Sequence, residues 1–447
     1  MIWLYRIFYP LAFLILLPSF LKRMRRRGGY EGSTAARLAL RPPPPRSSRT
    51  RPRVWVQAVS VGELLAIESL LDSINRELGW EIVLSTTTST AFTLAMKRFQ
   101  NRCAWIGWFP LDFAPCSVRT WNRLSPDVVL LMEGELWPEH LHQARKRRVP
   151  VFLINARLSD RTHRRYKKIP RSLMHSLVTG KITQVLAASE EDAERWRKFL
   201  PTEQVVVTGN LKMDVPIPEE ETLAKRRQTL LREFGFLPPD DAQHPTAEPL
   251  ILFGNSTWPG EEEVLLKTLK AALHAGVDCR VLLVPRHAER RAELQRLLES
   301  SGFPYHLRSQ GEQAPRGTMV YLADTTGELP QLLPCADLVL IGRSLPPNET
   351  GQNPLEAIAQ RKPVVMGPNM ETFRAMASQL LEEDAAVLVQ NTKEAPAQLL
   401  ALLQDPRKRT QLHQRAMQWL ERQRGSREAT VQILREASIT PPTLDRD

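Results

Sequence analysis

Three short strings set a carboxylate or a lysine directly behind a β-branched run, where a side chain can reach a ligand. Ser60-Val61-Gly62-Glu63 follows the run Val54 to Val59 and opens a helical pattern that starts near Leu64. A glutamate at such a turn can take a proton from a substrate hydroxyl once its pKa is tuned, a role worth ~10²–10⁴ in rate. It is also the residue type that a helix start favours through the macrodipole. Glu133-Gly134-Glu135-Leu136-Trp137-Pro138 follows DVVLLM and offers two acidic residues separated by glycine, suited to a base, to a sugar, or to capping the next helix. Gly209-Asn210-Leu211-Lys212-Met213-Asp214 follows VVVTG, and its lysine fits either a phosphate or open solvent.

A second group lies further along. Gly254-Asn255-Ser256-Thr257 comes after a strand and before a helix starting around Gly260, so its backbone N–H groups and hydroxyls are expected to face an anion. Pro285-Arg286-His287 ends the run VLLV, where a guanidinium can make paired hydrogen bonds to phosphate or a base edge. Thr326-Gly327-Glu328-Leu329 starts another helix, and Gly342-Arg343-Ser344 and Asn353-Pro354-Leu355-Glu356 add a glycine-rich turn and a carboxylate suited to ribose hydroxyls. Each string alone is weak; four at successive strand ends are a pattern.

These strings need strands to carry them. Strands are expected at Val54 to Val59, Glu81 to Leu84, Asp127 to Met132, Val151 to Ile154, Gln184 to Ala187 and Val205 to Val207, alternating with helices over 62–79, 90–99 and 135–148. After a break at 215–248, read as an interdomain connection with a small surface element, alternation resumes. Strands are then expected at Leu250 to Phe253, Cys279 to Val284, Met319 to Leu322, Leu338 to Ile341 and Pro363 to Met366. Such βα alternation implies mostly parallel sheets, hence an α/β protein of two Rossmann-like halves with ligands at the carboxyl ends of strands and the cleft between the halves as the default site.

From Met1 to Leu21 the chain is almost wholly apolar, broken by Arg6, Pro10, Pro18, Ser19 and two tyrosines, and Lys22, Arg23, Arg25, Arg26 and Arg27 follow. About 20 apolar residues can span a ~30 Å hydrocarbon core, and basic residues on the far flank keep it cytoplasmic. The expectation is a retained membrane anchor over 1–21, with an interfacial or protein-packed helix as the alternative because of Arg6 and the prolines. A basic, Pro-rich spacer is expected over 22–52, a first domain over 53–218, a second over 219–437 and a tail over 438–447.

The 447 residues suffice for two domains, and 42% apolar with 25% charged residues excludes bulk disorder. A net charge of +12 favours an anionic partner. The four cysteines form no C-x-x-C pair and the nine histidines no ligand spacing, so neither zinc, a disulfide framework nor a catalytic metal is indicated. The Walker lysine loop, G-x-G-x-x-G and G-x-S-x-G do not occur, which removes support for ATPase, dinucleotide oxidoreductase and α/β-hydrolase chemistry and leaves a nucleotide-sugar transferase.

Taken together, SVGE at 60–63, EGELWP at 133–138, NARLS at 155–159, GNLKMD at 209–214, PRH at 285–287, TGEL at 326–329 and NPLE at 353–356 resemble the 3-deoxy-D-manno-octulosonic acid (Kdo) transferases of lipopolysaccharide synthesis. The resemblance runs from about residue 53 to 385. It implies a GT-B fold and an inverting, metal-independent transfer without a cofactor. CMP-Kdo would be the donor and a lipid A precursor at the cytoplasmic face of the anionic inner membrane the acceptor, with no nucleic acid as partner. Carried across, Glu63 matches the general base, and Glu133 and Lys212 match transition-state stabilisers. Pro285, Arg286, Thr326, Gly327, Glu328, Asn353, Pro354, Leu355 and Glu356 match positions that hold CMP. The chain departs from the family pattern at Thr326, Arg343, Gln352 and Asn369, all on the donor side. The competing readings are a GT-B enzyme of UDP-sugars and a non-catalytic basic membrane-binding protein.

Overall fold

A computed structural model describes residues 1–26, 33–46, 50–237, 248–437 and 439. The chain divides into two compact units, Met1–Asp214 with Gln423–Asp447, and Val215–Arg422. The expected boundary at 218/219 lies four residues beyond this division. Residues 423–437, expected with the second domain, pack with the first unit: Val431 and Leu434 enter its core, and the Asp214 carboxylate accepts the Gly425 and Arg427 N–H groups at 2.8 and 2.7 Å. The expected tail lies outside the described residues except for Ile439.

The first unit carries seven parallel strands: β1 Arg53–Ala58, β2 Glu81–Thr86, β3 Trp105–Trp108, β4 Val128–Met132, β5 Val151–Ala156, β6 Gln184–Ala187 and β7 Val205–Val207. Their order is β3-β2-β1-β4-β5-β6-β7, so the direction of winding reverses between β1 and β4. β1 and β4 are buried along their whole length, as strands covered by helices on both faces must be. On one face Leu64, Ile67, Leu70 and Ile74, spaced three and four apart on helix Val61–Glu77, pack over Val54, Val56 and Leu130. Each contributes roughly 1.5–3 kcal/mol by leaving water. Trp55, Trp121, Leu131 and Trp196 fill the other face.

The second unit repeats the plan with β8 Leu250–Thr257, β9 Cys279–Pro285, β10 Tyr305–Leu307, β11 Val320–Leu322, β12 Leu338–Ile341, β13 Val364–Met366 and β14 Val387–Leu388. Their order is β10-β11-β9-β8-β12-β13-β14, with the reversal between β8 and β12. The expected strands are present, and three short ones, β3, β10 and β14, join them. The break at 215–248 holds helix Glu220–Glu233, whose Leu230 and Leu231 are buried; Phe234 behind it packs against Tyr321 with the rings tilted and 4.1 Å apart, so this is an integral helix of the second unit. Residues 238–247 lie outside the described residues.

The amino-terminal segment corrects one expectation. It forms helix Ile2–Arg26, but among the described residues no helix is long and apolar enough to cross a membrane. One side of it is committed to the first unit. The Tyr5 hydroxyl donates to Asp112 at 2.6 Å, and Arg6 donates twice to the buried Glu139 at 2.8 and 2.9 Å. A helix whose charged residue has a protein partner is stable docked, and Trp3, Ile7, Phe8, Leu11, Leu14 and Ile15 remain exposed. The expected spacer over 22–52 is also docked where it is described: Arg37 lies 4.7 Å over the Trp108 ring and Arg46 pairs with Asp127 at 2.8 Å. Residues 27–32 and 47–49 lie outside the described residues.

Candidate functional site

In doubly wound sheets ligands bind beyond the carboxyl ends of the strands where winding reverses. In the first unit those strands are β1 and β4, and their ends carry Ser60–Glu63 and Glu133–Glu135. Ser60 caps helix Val61–Glu77, accepting the Glu63 N–H at 3.3 Å, and Glu63 folds back to accept the Val59 N–H at 2.8 Å and the Ser60 hydroxyl at 3.0 Å. This resembles a capping box shifted by one residue, with Glu63 taking the Val59 N–H in place of the Ser60 N–H. The helix-start reading of Glu63 is therefore correct, and it fixes the carboxylate at the switch point. Burial raises its pKa, opposed by the Val59 N–H; Glu133 raises it further, while Ser60 and Lys212 lower it.

Glu133 leaves β4 with a φ of +54° and donates its N–H to Ile154 of β5 at 3.0 Å. Lys212 reaches it from beyond β7. The Asn155 side chain, at the end of β5, accepts the Leu211 N–H at 3.0 Å, drawing the turn Leu211–Met213 back over the sheet, and Asn210 caps that turn at the Lys212 N–H. The Lys212 ammonium then donates to Glu133 at 3.0 Å. Glu135 belongs to the same group: Trp137 donates its indole N–H to it at 2.9 Å, and burial, with added repulsion from Glu63 and Glu133, pushes its carboxyl up to about 7. Tyr166 stands beside it and feels its charge. The sequence offers Glu135, with Glu133, for a base, a sugar or a helix cap but does not set it among the catalytic residues, and it gives no sign of Tyr166.

In the second unit the switch point joins the ends of β8 and β12. Gly254–Thr257 is not the exposed turn expected from the sequence; it is the end of β8, irregular between Asn255 and Thr257. Asn255 and Thr257 are each 1% exposed, and among the described residues both polar atoms of the Asn255 amide and the Thr257 hydroxyl have no hydrogen-bond partner. Buried polar groups are ordinarily satisfied, so orphans grouped at a strand end are acceptors and donors left for a ligand or water. Gly342 allows β12 to end this close, since a Cβ there would lie 2.1 Å from the Ser256 carbonyl oxygen. Glu261, which sequence reasoning also missed, accepts N–H groups of Trp258, Arg343, Ser344 and Leu345 at 2.8–3.1 Å and ties the two strand ends together. Burial lifts its pKa to about 7 against these four donors. Arg343 lies 4.4 Å over the Trp258 ring.

The remaining expected residues divide. Arg286, exposed behind the buried end of β9 at Pro285, is close enough to Glu356 to lower its pKa against the rise that burial causes. Thr326 and Gly327 are exposed, with Gly327 at φ +86°, and Asn353 is exposed and caps the next helix by accepting the Leu355 N–H. Two positions are used otherwise. Leu355 is 1% exposed and packs in the core, and the Glu328 carboxylate is held by Arg308 at 2.7 Å and by the Thr325 hydroxyl. That pairing keeps Glu328 ionised, its pKa lowered first by the Arg308 hydrogen bonds.

Two seven-stranded parallel sheets with polar residues at each switch point define an α/β protein of the GT-B type. UDP-GlcNAc 2-epimerase of Neisseria meningitidis shares this fold, with a TM-score of 0.53 and 15% identity over 86% of this chain and 100% of that one. The family model of 3-deoxy-D-manno-octulosonic-acid transferase (kdotransferase) matches residues 30–215. The 3-deoxy-D-manno-octulosonic acid transferase of Bordetella pertussis is 30% identical over 93% of this chain and 94% of its own length. That of Haemophilus influenzae is 29% identical over 96% and 93%. The chain belongs to the Kdo transferase family and is a glycosyltransferase of that kind.

Proposed function

We propose that the protein moves Kdo from CMP-Kdo to a hydroxyl of a lipid A precursor, inverting the anomeric centre without a metal or cofactor. The observation that carries this reading is the joining of Glu63, Glu133 and Lys212 at the switch point of the first unit. Glu63, raised by burial yet still hydrogen-bonded as an anion, is the base: the acceptor hydroxyl loses its proton to Glu63 while its oxygen bonds to the anomeric carbon, and the bond from that carbon to the CMP phosphate breaks. Lys212, oriented by Glu133, supplies positive charge where negative charge develops. In the second unit Arg286, Thr326, Gly327, Asn353 and Glu356 are the groups for CMP, with the orphaned Asn255 and Thr257 beside Gly342 as further contacts. Leu355, Pro354 and Glu328 serve this site by shaping it.

The acceptor and its location rest on the surface of the first unit. The exposed face of helix Ile2–Arg26, with Trp3, Leu4, Ile7, Phe8, Leu11, Leu14 and Ile15, suits insertion into one leaflet at the cytoplasmic face of the inner membrane. Arg161, Arg164, Arg165, Lys167, Lys168 and Arg171 are exposed around Tyr166, which adjoins Glu135, and suit a phosphorylated lipid. The test is transfer of Kdo from freshly generated CMP-Kdo to a tetraacylated lipid A precursor, with Glu63→Gln as control. Turnover lost in a folded mutant supports donor, acceptor and base; a folded native protein without turnover rejects this donor, and UDP-sugars are then assayed.

A further inference from the structure

We infer that Glu135 is a catalytic residue in its own right, its second carboxyl oxygen making a hydrogen bond to an acceptor sugar oxygen beside the hydroxyl Glu63 deprotonates. This rests on the transfer reaction proposed above. Glu135 occupies the short segment between β4 and helix Pro138–Lys146, held by its own N–H to the Met132 carbonyl at 3.2 Å and by the next residue's N–H to Gly134 at 2.9 Å. One carboxyl oxygen takes the Trp137 indole N–H, and the other has no hydrogen-bond partner among the described residues.

The charged and titratable groups that face it come from three elements: Glu133 from its own segment, Glu63 from the helix behind β1, and Tyr166 from helix Asp160–Tyr166. Lys212 is held by Glu133. The Glu135 charge is disfavoured by burial first and by the neighbouring Glu63 and Glu133 carboxylates second. A carboxyl whose pKa is pushed up to about 7 is largely protonated below that pH, and its free oxygen is then a hydrogen-bond donor. Sugar hydroxyls and ring oxygens are the acceptors such a donor recognises. Ionisation of Glu135 removes the donor and adds negative charge beside Glu63 and Glu133, so turnover is lost as pH rises through about 7.

The experiment compares native protein, Glu135→Gln, Glu135→Ala and Trp137→Phe for transfer from freshly generated CMP-Kdo to the tetraacylated precursor between about pH 5 and 9. Alongside, the infrared carbonyl band of protonated carboxyl groups is followed with and without the precursor. Glu135→Gln keeps a donor and cannot ionise: it is expected to stay within about threefold of native and to lose the alkaline fall, whereas Glu135→Ala loses roughly tenfold or more in kcat/KM. A protonated-carboxyl band present in native protein, absent from Glu135→Gln and shifted by the precursor supports the assignment, including in a protein that rejects CMP-Kdo and so refutes only the donor. Equal losses in Glu135→Gln and Glu135→Ala, an unchanged alkaline fall in Glu135→Gln, or no such band would overturn it. So would a Trp137→Phe protein that reproduces Glu135→Ala, because Glu135 would then only anchor the indole.

Discussion

Lys212 and Glu133, 79 residues apart in the chain, meet at 3.0 Å at the switch point of the first sheet, with the lysine brought there by a backbone bond to Asn155. Both side chains are about one-third exposed, so the pair contributes at most ~1 kcal/mol to stability. Lys212→Met is therefore expected to leave the urea midpoint almost unchanged while kcat falls roughly 10²–10³-fold, the scale of losing one charge-stabilising donor. A mutant that loses stability and activity together would place Lys212 in the scaffold instead.

Glu63→Gln is expected to keep the helix cap, because an amide oxygen still accepts the Val59 N–H, and to lower kcat about 10²–10⁴-fold. The base must be ionised to act. Since burial raises the Glu63 pKa above its ordinary 4.5, turnover rises with pH on the acid side, with a midpoint above that value. A native acid limb centred at or below 4.5 would argue that another group takes the proton.

Much of this site was legible because each residue stands directly behind a β-branched run, and β-branched residues are enriched in strands. Glu63, Glu133 and Lys212 could be placed at strand ends from the sequence, but their convergence could not, since it depends on strand order and on Asn155. Glu261 was invisible for a related reason: its partners at 343–345 lie 82–84 residues away, and nothing local marks it as more than one of three glutamates at a helix start. The pairing of Glu328 with Arg308 was not legible because Arg308 carries no motif. At the amino terminus the expected spanning anchor is overturned, since among the described residues no helix is long and apolar enough to cross a membrane, and its docking was not legible because Glu139, the partner of Arg6, lies 133 residues away.

Glu261→Gln should test how the second switch point is held. The substitution sets an amide N–H₂ against backbone N–H groups that the carboxylate now accepts, and a loss of about 1–3 kcal/mol is expected in urea unfolding. The pH dependence has a definite sign. The folded-state pKa, about 7, exceeds the ordinary 4.5, so the native protein favours the proton-bound form and this contribution is lost as pH rises from 4.5 through 7. The stability gap between native and mutant thus narrows over that interval, by at most ~1.4 kcal/mol per pH unit. A gap that widens with pH would mean that the four N–H donors outweigh burial.

The two sides of helix Ile2–Arg26 make opposite predictions. Trp3 and Phe8 are 60% and 64% exposed and make the apolar face that membrane docking requires. Replacing both by serine is expected to weaken cosedimentation with anionic vesicles roughly 10- to 10²-fold, since each aromatic forfeits part of a burial worth ~1.5–3 kcal/mol, while the first unit unfolds at the native urea concentration. Arg6→Ala reverses the pattern. It leaves the buried Glu139 carboxylate without its cation and with Gln143 as its remaining side-chain donor, so unit stability falls by a few kcal/mol while the apolar face is untouched. If Trp3→Ser with Phe8→Ser binds vesicles as the native protein does, the exposed face is not a membrane surface. If Arg6→Ala unfolds like the native protein, the helix is not docked through Glu139.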